Sequence, residues 1–93
     1  YYEGFLPHKK GRATRIADIV QRKETCVLYE SPHRILKTLS QLLEAAGSER
    51  IVSISREISK LHEETVRGTI PEVIKYYENN PIKGEFVLVL QGS

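Results

Sequence analysis

The chain alternates between short β-forming runs and helical apolar stripes, and this alternation most constrains its fold. In the clearest example the run Thr25–Glu30, which is rich in β-formers, precedes a stripe with apolar residues every three or four positions: Ile35, Leu36, Leu39, Leu42, Leu43 and Ala46. Ser31 is suited to cap the N-terminus of this helix, with Pro32 at its first position. Gly47 is suited to a left-handed cap at its end.

The remaining elements follow from the same patterns. They are helices over 12–23 and after Thr69, where Thr69 and Glu72 match a capping box, and strands over 50–56, 63–68 and 85–91. Residues 1–6 form a short strand or a linker, and 57–62 a loop. The last strand is apolar on both faces, so it should be central. The order predicts an α/β fold, a mixed sheet of four to five strands with three helices.

The composition fits a single globular domain over residues 1–93, with 40% hydrophobic and 28% charged residues. The chain contains no methionine and begins in Tyr1-Tyr2-Glu3, so we expect a domain cut from a longer protein. Its apolar runs are too short to span a bilayer, and we expect no membrane association. The lone cysteine, Cys26, lies inside a predicted strand and is interpreted as a buried residue of a protein in a reducing cytoplasm.

Positive charge is concentrated near the N-terminus. Between Gly4 and Ala17 there is no acidic residue, whereas Lys9, Lys10, Arg12 and Arg15 all fall there, next to His8. This segment is either a solvated loop with the first turn of a helix, or a contact with a polyanion such as RNA.

The strand-to-helix turn from Tyr29 to Arg34 is the first candidate for a site. It places a carboxylate, Glu30, and two potential cations, His33 and Arg34, where ligands collect in open α/β sheets. The alternative is a capped turn whose charges face water. No metal site is predicted, because the three histidines are far apart and no Cys-x-x-Cys occurs, and no phosphate-binding or dinucleotide motif is present.

Four segments in order resemble one family of methyltransferases. They are Tyr2-Glu3-Gly4-Phe5-Leu6-Pro7 with the basic loop after it, Tyr29-Glu30-Ser31-Pro32-His33-Arg34, the stretch from Arg56 to Thr69, and Lys83-Gly84-Glu85-Phe86-Val87-Leu88-Val89. These motifs resemble the C-terminal domain of small-subunit ribosomal RNA cytidine 2′-O-ribose methyltransferases, within the tetrapyrrole methylase superfamily.

The resemblance implies a fold, a cofactor and partners. The fold is the C-terminal domain of a tetrapyrrole methylase, and S-adenosylmethionine lies between it and an N-terminal domain of the same protein. The acceptor is a cytidine ribose 2′-hydroxyl in small-subunit rRNA, the enzyme is cytoplasmic, and a homodimer is compatible with the superfamily. Carried onto this chain, the cofactor positions are Tyr29, Glu30, Ser31, Arg56, Glu57, Ile58, Glu85 and Phe86.

Other roles follow from residue chemistry. Glu30 and His33 are candidates for removing the hydroxyl proton, although that base can also lie in the other domain. Lys9, Lys10, Arg12, Arg15 and Arg34 are the RNA-binding candidates. Two alternatives remain open, a domain of a porphyrin or corrin methylase and a stand-alone RNA-binding module that uses the basic arm 8–15. The fragment alone is expected to be inactive.

Overall fold

The computed structural model describes residues 1–59 and 62–93, with side chains for 1–56 and 63–93. It contains five strands and three helices in the described residues. In chain order they are β1 (Tyr2–Phe5), α1 (Arg12–Gln21), β2 (Cys26–Glu30), α2 (Ile35–Ala46), β3 (Ile51–Ser59), β4 (His62–Thr69), α3 (Ile70–Glu78) and β5 (Phe86–Leu90). In that part of the chain, no helix has the length and apolar character needed to cross a membrane.

The strands form one mixed sheet in the order β1-β2-β5-β3-β4. Strands β1 and β2 are parallel, and β5 is antiparallel to both β2 and β3. Strands β1, β2 and β3 therefore point the same way, and their carboxyl ends lie at one edge. The last strand is central, as its two apolar faces predicted, and the α/β class with a mixed sheet is confirmed.

All three helices pack on one face of the sheet. Along β2 and β5 every second residue is buried, and the intervening ones are only partly buried. The buried set joins Leu28, Leu88 and Ile54 in one cross-strand row, which packs against apolar residues of the helices such as Leu39 and Val73. On the opposite face, which no helix of the described residues covers, the side chains of β2 and β5 are only partly buried.

The start of α2 differs from the prediction. The helix begins at Ile35, and residues 32–34 form a turn in which the Arg34 N–H donates to the Ser31 carbonyl at 3.1 Å. Ser31 therefore does not cap the helix, and Pro32 is not its first residue. Arg34 is the N-cap residue, without a side-chain cap bond. Four residues therefore separate the helix from the strand end, and Ser31, His33 and Arg34 among them carry polar side chains.

Other boundaries shift by a few residues. Helix α1 ends at Gln21 rather than near Lys23, and the predicted loop 57–62 is mostly strand, because β3 continues to Ser59 and β4 starts at His62. Residues 60 and 61 of that loop lie outside the described residues. The charged and mixed composition of this stretch hid a long hairpin, in which pairing between strands compensates for weak local preference.

The residue that ends α2 and the capping box that starts α3 are confirmed, but the left-handed conformation predicted for Gly47 is wrong. Gly47 ends α2 with a φ of 93° and a ψ of 168°, an extended region at positive φ that is essentially restricted to glycine. Its N–H donates to the Leu43 carbonyl at 2.9 Å. At the start of α3 the capping box is present, because Thr69 accepts from the Glu72 N–H and the Glu72 carboxylate accepts from the Thr69 N–H at 2.8 Å.

Candidate ligand site at the carboxyl edge of the sheet

The three segments predicted to contact a cofactor meet at one edge of the sheet. Glu30, the last residue of β2, is paired with Phe86, the first residue of β5, and Phe86 is paired with Arg56 of β3. This edge also holds the carboxyl ends of β1 and β2, from which the loop 7–11 and the turn 31–34 leave. Segments that are distant in sequence thus form one continuous rim, where open α/β sheets bind ligands.

Glu30 is buried at this edge, with 5% of its surface exposed. One carboxylate oxygen accepts from the Ser31 N–H at 2.8 Å, and the other accepts from the Thr38 hydroxyl at 2.6 Å. The Thr38 hydroxyl in turn accepts from Arg12 Nη2 at 2.7 Å. Glu30 is therefore enclosed and hydrogen-bonded at both oxygens, which argues against its predicted roles as proton acceptor and side-chain cofactor contact.

Ser31 combines a fixed backbone with a free hydroxyl. Its Oγ is buried and has no hydrogen-bond partner among the described residues. A buried hydroxyl without a partner is uncommon in native structures, because losing its hydrogen bonds to water costs free energy. The Ser31 hydroxyl is thus an unpaired polar group at the end of β2 within the described part of the chain.

His33 and Arg34 occupy the rest of the turn. His33 is exposed, and Arg34 is partly buried with its Nη2 at 3.2 Å from Nδ1 of His8. This contact brings the loop 7–11 next to the turn 31–34. Two positively charged segments that are separate in sequence are adjacent in the fold.

Arg56 lies in a polar cluster at the same edge. Its Nε donates to Glu64 Oε1 at 2.9 Å and its Nη1 donates to the Lys83 carbonyl at 3.2 Å. The Tyr76 hydroxyl donates to Glu64 Oε2 at 3.0 Å, and this bond raises the pKa of Tyr76. Arg56 therefore ties the loop before β5 to the hairpin, and its side chain is only 9% exposed.

The other predicted cofactor positions fall on different faces. Phe86 is buried in the core, with its ring 5.5 Å from the ring of Tyr77, so its side chain cannot line a cleft. Glu85 is exposed just before β5, and Tyr29 lies on the face of the sheet opposite the helices, where its ring is 5.6 Å from that of Tyr2 and 5.5 Å from that of Phe5. The side chains of Glu57 and Ile58 lie outside the described part of the chain.

The basic arm divides into exposed and committed residues. Lys9 and Lys10 are exposed, as predicted for contacts with phosphate. Arg12 is a correction, because it is 6% exposed and its guanidinium donates to Thr38, to Gln41 Oε1 at 2.8 Å and to the Pro7 carbonyl at 3.1 Å. The Arg12 guanidinium is therefore bound to polar groups inside the domain and does not face solvent.

Arg15 is also committed within the domain. Its Nη2 lies 2.8 Å from a carboxylate oxygen of Glu3, whose side chain is 1% exposed. The pair compensates a buried carboxylate, while about half of the Arg15 side chain stays exposed. The sequence predicted an RNA contact for Arg15 because Glu3 lies outside the acid-free segment, and only the fold brings these two side chains together.

Away from this edge, the features to consider are a buried cysteine, possible metal ligands and one cavity. Cys26 is buried as expected, and burial raises the pKa of its thiol. No group of three or more potential metal ligands occurs among the described residues. A cavity of about 390 Å³ lies between α1 and α2, lined by Ala13, Ile16, Ala17, Gln41, Glu44 and Ala45, so its walls belong to the helix layer and not to the rim.

Comparison with protein families agrees with this geometry. The model for tetrapyrrole (corrin/porphyrin) methylases matches residues 3–74. The chain belongs to the tetrapyrrole methylase family. The match covers the strand-end turn, the basic loop and the hairpin with Arg56, so most of the rim lies within the family domain.

Individual relatives of this tetrapyrrole methylase domain carry a more specific name. This chain is 42% identical to "Ribosomal RNA small subunit methyltransferase I" of Synechocystis sp. over 99% of the chain and 33% of the relative. It is 42% identical to the Bacillus subtilis protein of the same name, over all of the chain and 32% of that relative. The chain therefore spans about a third of the length of these curated relatives.

A solved structure supports the fold alone. The X-ray structure of a cobalamin biosynthetic enzyme, cobalt precorrin-4 methyltransferase, matches with a TM-score of 0.69 at 14% identity. The match covers 98% of this chain and 40% of the other. The expected tetrapyrrole methylase fold is thus confirmed for this domain.

Proposed function

We propose that this domain is the C-terminal domain of an S-adenosylmethionine-dependent methyltransferase that 2′-O-methylates a cytidine ribose in small-subunit rRNA. The observation that carries the proposal is the shared edge of the sheet. The turn after β2, the rim residue Arg56 and the start of β5 form one surface, and the exposed lysines adjoin it. A second domain over this surface would form a cleft between the two domains, in which a methyl donor and a nucleic acid could meet.

The rim offers suitable groups for the methyl donor. S-adenosylmethionine, when bound, supplies an electrophilic methyl group on a sulfonium. Its amino, carboxylate and ribose hydroxyl groups need hydrogen-bond partners, and Ser31 Oγ is a buried hydroxyl with none in the described residues. The partly buried Tyr29 and the exposed Glu85 flank the rim and remain proposed contacts, as do the backbone positions of Glu57, Ile58 and Phe86.

RNA binding is assigned to a basic patch, which we define as His8, Lys9, Lys10, His33 and Arg34. The patch joins the loop 7–11 to the turn 31–34 through the contact of Arg34 with His8. Its lysines are exposed and can approach phosphates, which position nucleic acids without reading their sequence. RNA and methyl donor would then meet at one turn.

Within this chain, His33 is the better candidate for removing the ribose hydroxyl proton. It is exposed on the turn, whereas both oxygens of Glu30 are already hydrogen-bonded. A neutral imidazole can accept a proton at its free ring nitrogen. Methyl transfer is an in-line displacement, so positioning of the two reactants supplies most of what the site must do.

The proposal is tested on the longer protein that contains this domain. Calorimetric titration should give micromolar binding of S-adenosylmethionine, and transfer of a radiolabelled methyl group should occur to small-subunit rRNA but not to a porphyrin or corrin. Methylation of a tetrapyrrole instead, or donor binding without rRNA methylation, would overturn the rRNA assignment.

Two comparisons sharpen this test. Ser31→Ala should weaken donor binding by about two- to tenfold, the value of one hydrogen bond, while Ser40→Ala on the exposed side of α2 should leave it unchanged. The isolated 93-residue domain should bind the donor at least about 100-fold more weakly than the longer protein, because it lacks half of the cleft and so half of its contacts. Micromolar binding to the isolated domain would contradict a shared cleft.

A further inference from the structure

A chain of buried hydrogen bonds connects α1 to the candidate site. Arg12 Nη2 donates to the Thr38 hydroxyl, which donates to one carboxylate oxygen of Glu30, and the other oxygen accepts from the Ser31 N–H. Arg12, Thr38 and Glu30 are 6%, 1% and 5% exposed, so solvent cannot replace these bonds.

The geometry indicates a purpose beyond stability. No direct ion pair between Arg12 and Glu30 is present in the described structure. The Thr38 hydroxyl instead bridges the two charged groups by hydrogen bonds. Because the Thr38 hydroxyl accepts from a cation and donates to an anion, its O–H is oriented towards Glu30, and both bonds are charge-assisted. A fixed carboxylate then fixes the amide of Ser31, the first residue of the turn.

We infer that Arg12 and Thr38 are positioning residues that act through Glu30 to hold Ser31 in its place at the rim. This inference rests on the proposed function, because Ser31 matters to catalysis only if the rim binds the methyl donor. It assigns to Arg12 a role opposite to the RNA contact predicted from the sequence.

Arg12 also holds the other side of the site. Its Nη1 donates to the Pro7 carbonyl at 3.1 Å, at the start of the loop that carries Lys9 and Lys10. One guanidinium thus bonds to the loop, to α2 through Gln41 and Thr38, and, through the relay, to the turn. Arg12 reaches its three partners with three different nitrogens of one planar group, whereas lysine has a single ammonium nitrogen. Arg12→Lys should therefore weaken the arrangement even though the charge is kept.

The decisive variant is Thr38→Val in the longer protein, which keeps the shape of the side chain and removes the hydroxyl. We expect the KM for S-adenosylmethionine to rise about tenfold, with kcat within about twofold, because a displaced turn loses binding of the donor in both ground and transition states. Thr38→Ser should restore the KM to within about twofold of the wild type. Ser40→Val, on the exposed side of the same helix, is the matched control and should change neither constant.

Amide hydrogen exchange provides a readout that does not need activity. In Thr38→Val the Ser31 amide should exchange about tenfold faster, with no comparable change at Leu88 in the central strand. A fall in melting temperature with unchanged KM and unchanged Ser31 exchange would overturn the inference, since the network would then only stabilise the fold.

The two proposals fail separately. If the wild-type protein does not bind the donor, the proposed function is wrong, and Ser31 exchange in Thr38→Val alone supports or overturns the relay. If Thr38→Val does not fold, Arg12→Lys is judged by the same KM and exchange criteria.

Discussion

Tyr77 places both its apolar ring and its polar hydroxyl in the core. It is 1% exposed, and the hydroxyl has no hydrogen-bond partner among the described residues. Burial raises the pKa of Tyr77 to about 12. The neighbouring Tyr76 differs, because its hydroxyl donates to Glu64. The two adjacent tyrosines therefore form a matched pair, one with a satisfied hydroxyl and one without.

Removing the Tyr77 hydroxyl should not destabilise the domain. We expect Tyr77→Phe to leave the free energy of unfolding at pH 7 unchanged or to raise it by about 1 kcal/mol, because a desolvated group without a partner is removed. Tyr76→Phe should lower it by about 1 kcal/mol. Urea unfolding measures both, and an equal loss in the two variants would contradict the assignment of an unpaired hydroxyl to Tyr77.

The same residue gives a pH dependence with a defined sign. The folded-state pKa is raised above the usual value of 10, so the unfolded state releases the Tyr77 proton first. The free energy of unfolding is therefore independent of Tyr77 ionisation below pH 10 and falls as the pH rises from 10 towards 12. Between these values the wild type should lose about 1.4 kcal/mol per pH unit more than Tyr77→Phe. Parallel stability curves for the two proteins above pH 10 would contradict this.

At the scale of elements, Gly47 separates α2 from β3. Its φ of 93° and ψ of 168° lie where other residues are strained, although a methyl group there would meet no described atom within 4 Å. We expect Gly47→Ala to lower the free energy of unfolding by about 1–3 kcal/mol through backbone strain alone. The adjacent exposed Ser48→Ala should cost less than about 0.5 kcal/mol. Equal effects in urea unfolding would show that the chain relaxes elsewhere.

Element boundaries show which local signals dominate. The capping box of Thr69 and Glu72 was predictable, because both partners lie within one turn of the chain. Ser31 has equally suitable chemistry for a cap, but its hydroxyl has no partner among the described residues, and the Arg34 N–H donates to the Ser31 carbonyl instead. A turn over residues 32–34 therefore takes the place of the predicted first turn of the helix.

At the scale of the whole molecule, the proposed RNA contact of the basic patch has a testable dependence on salt. In the longer protein, Lys9→Ala with Lys10→Ala should weaken RNA binding and reduce the slope of log affinity against log salt by about 2, one for each lost phosphate contact. Lys23→Ala with Lys75→Ala removes two exposed lysines outside the patch and is the control. Filter binding at several salt concentrations measures the slope, and an unchanged slope would exclude the loop from the RNA interface.

The sequence alone determined the class of fold, the central position of β5 and the family, because these depend on local periodicity and on ordered motifs. It also identified the three segments of the rim, although only their register made them neighbours. Tertiary structure alone decided that Arg12 and Arg15 turn towards Thr38 and Glu3, and that Glu30 is enclosed. Charge can be read from a residue, but whether that charge faces solvent depends on partners that folding brings from elsewhere in the chain.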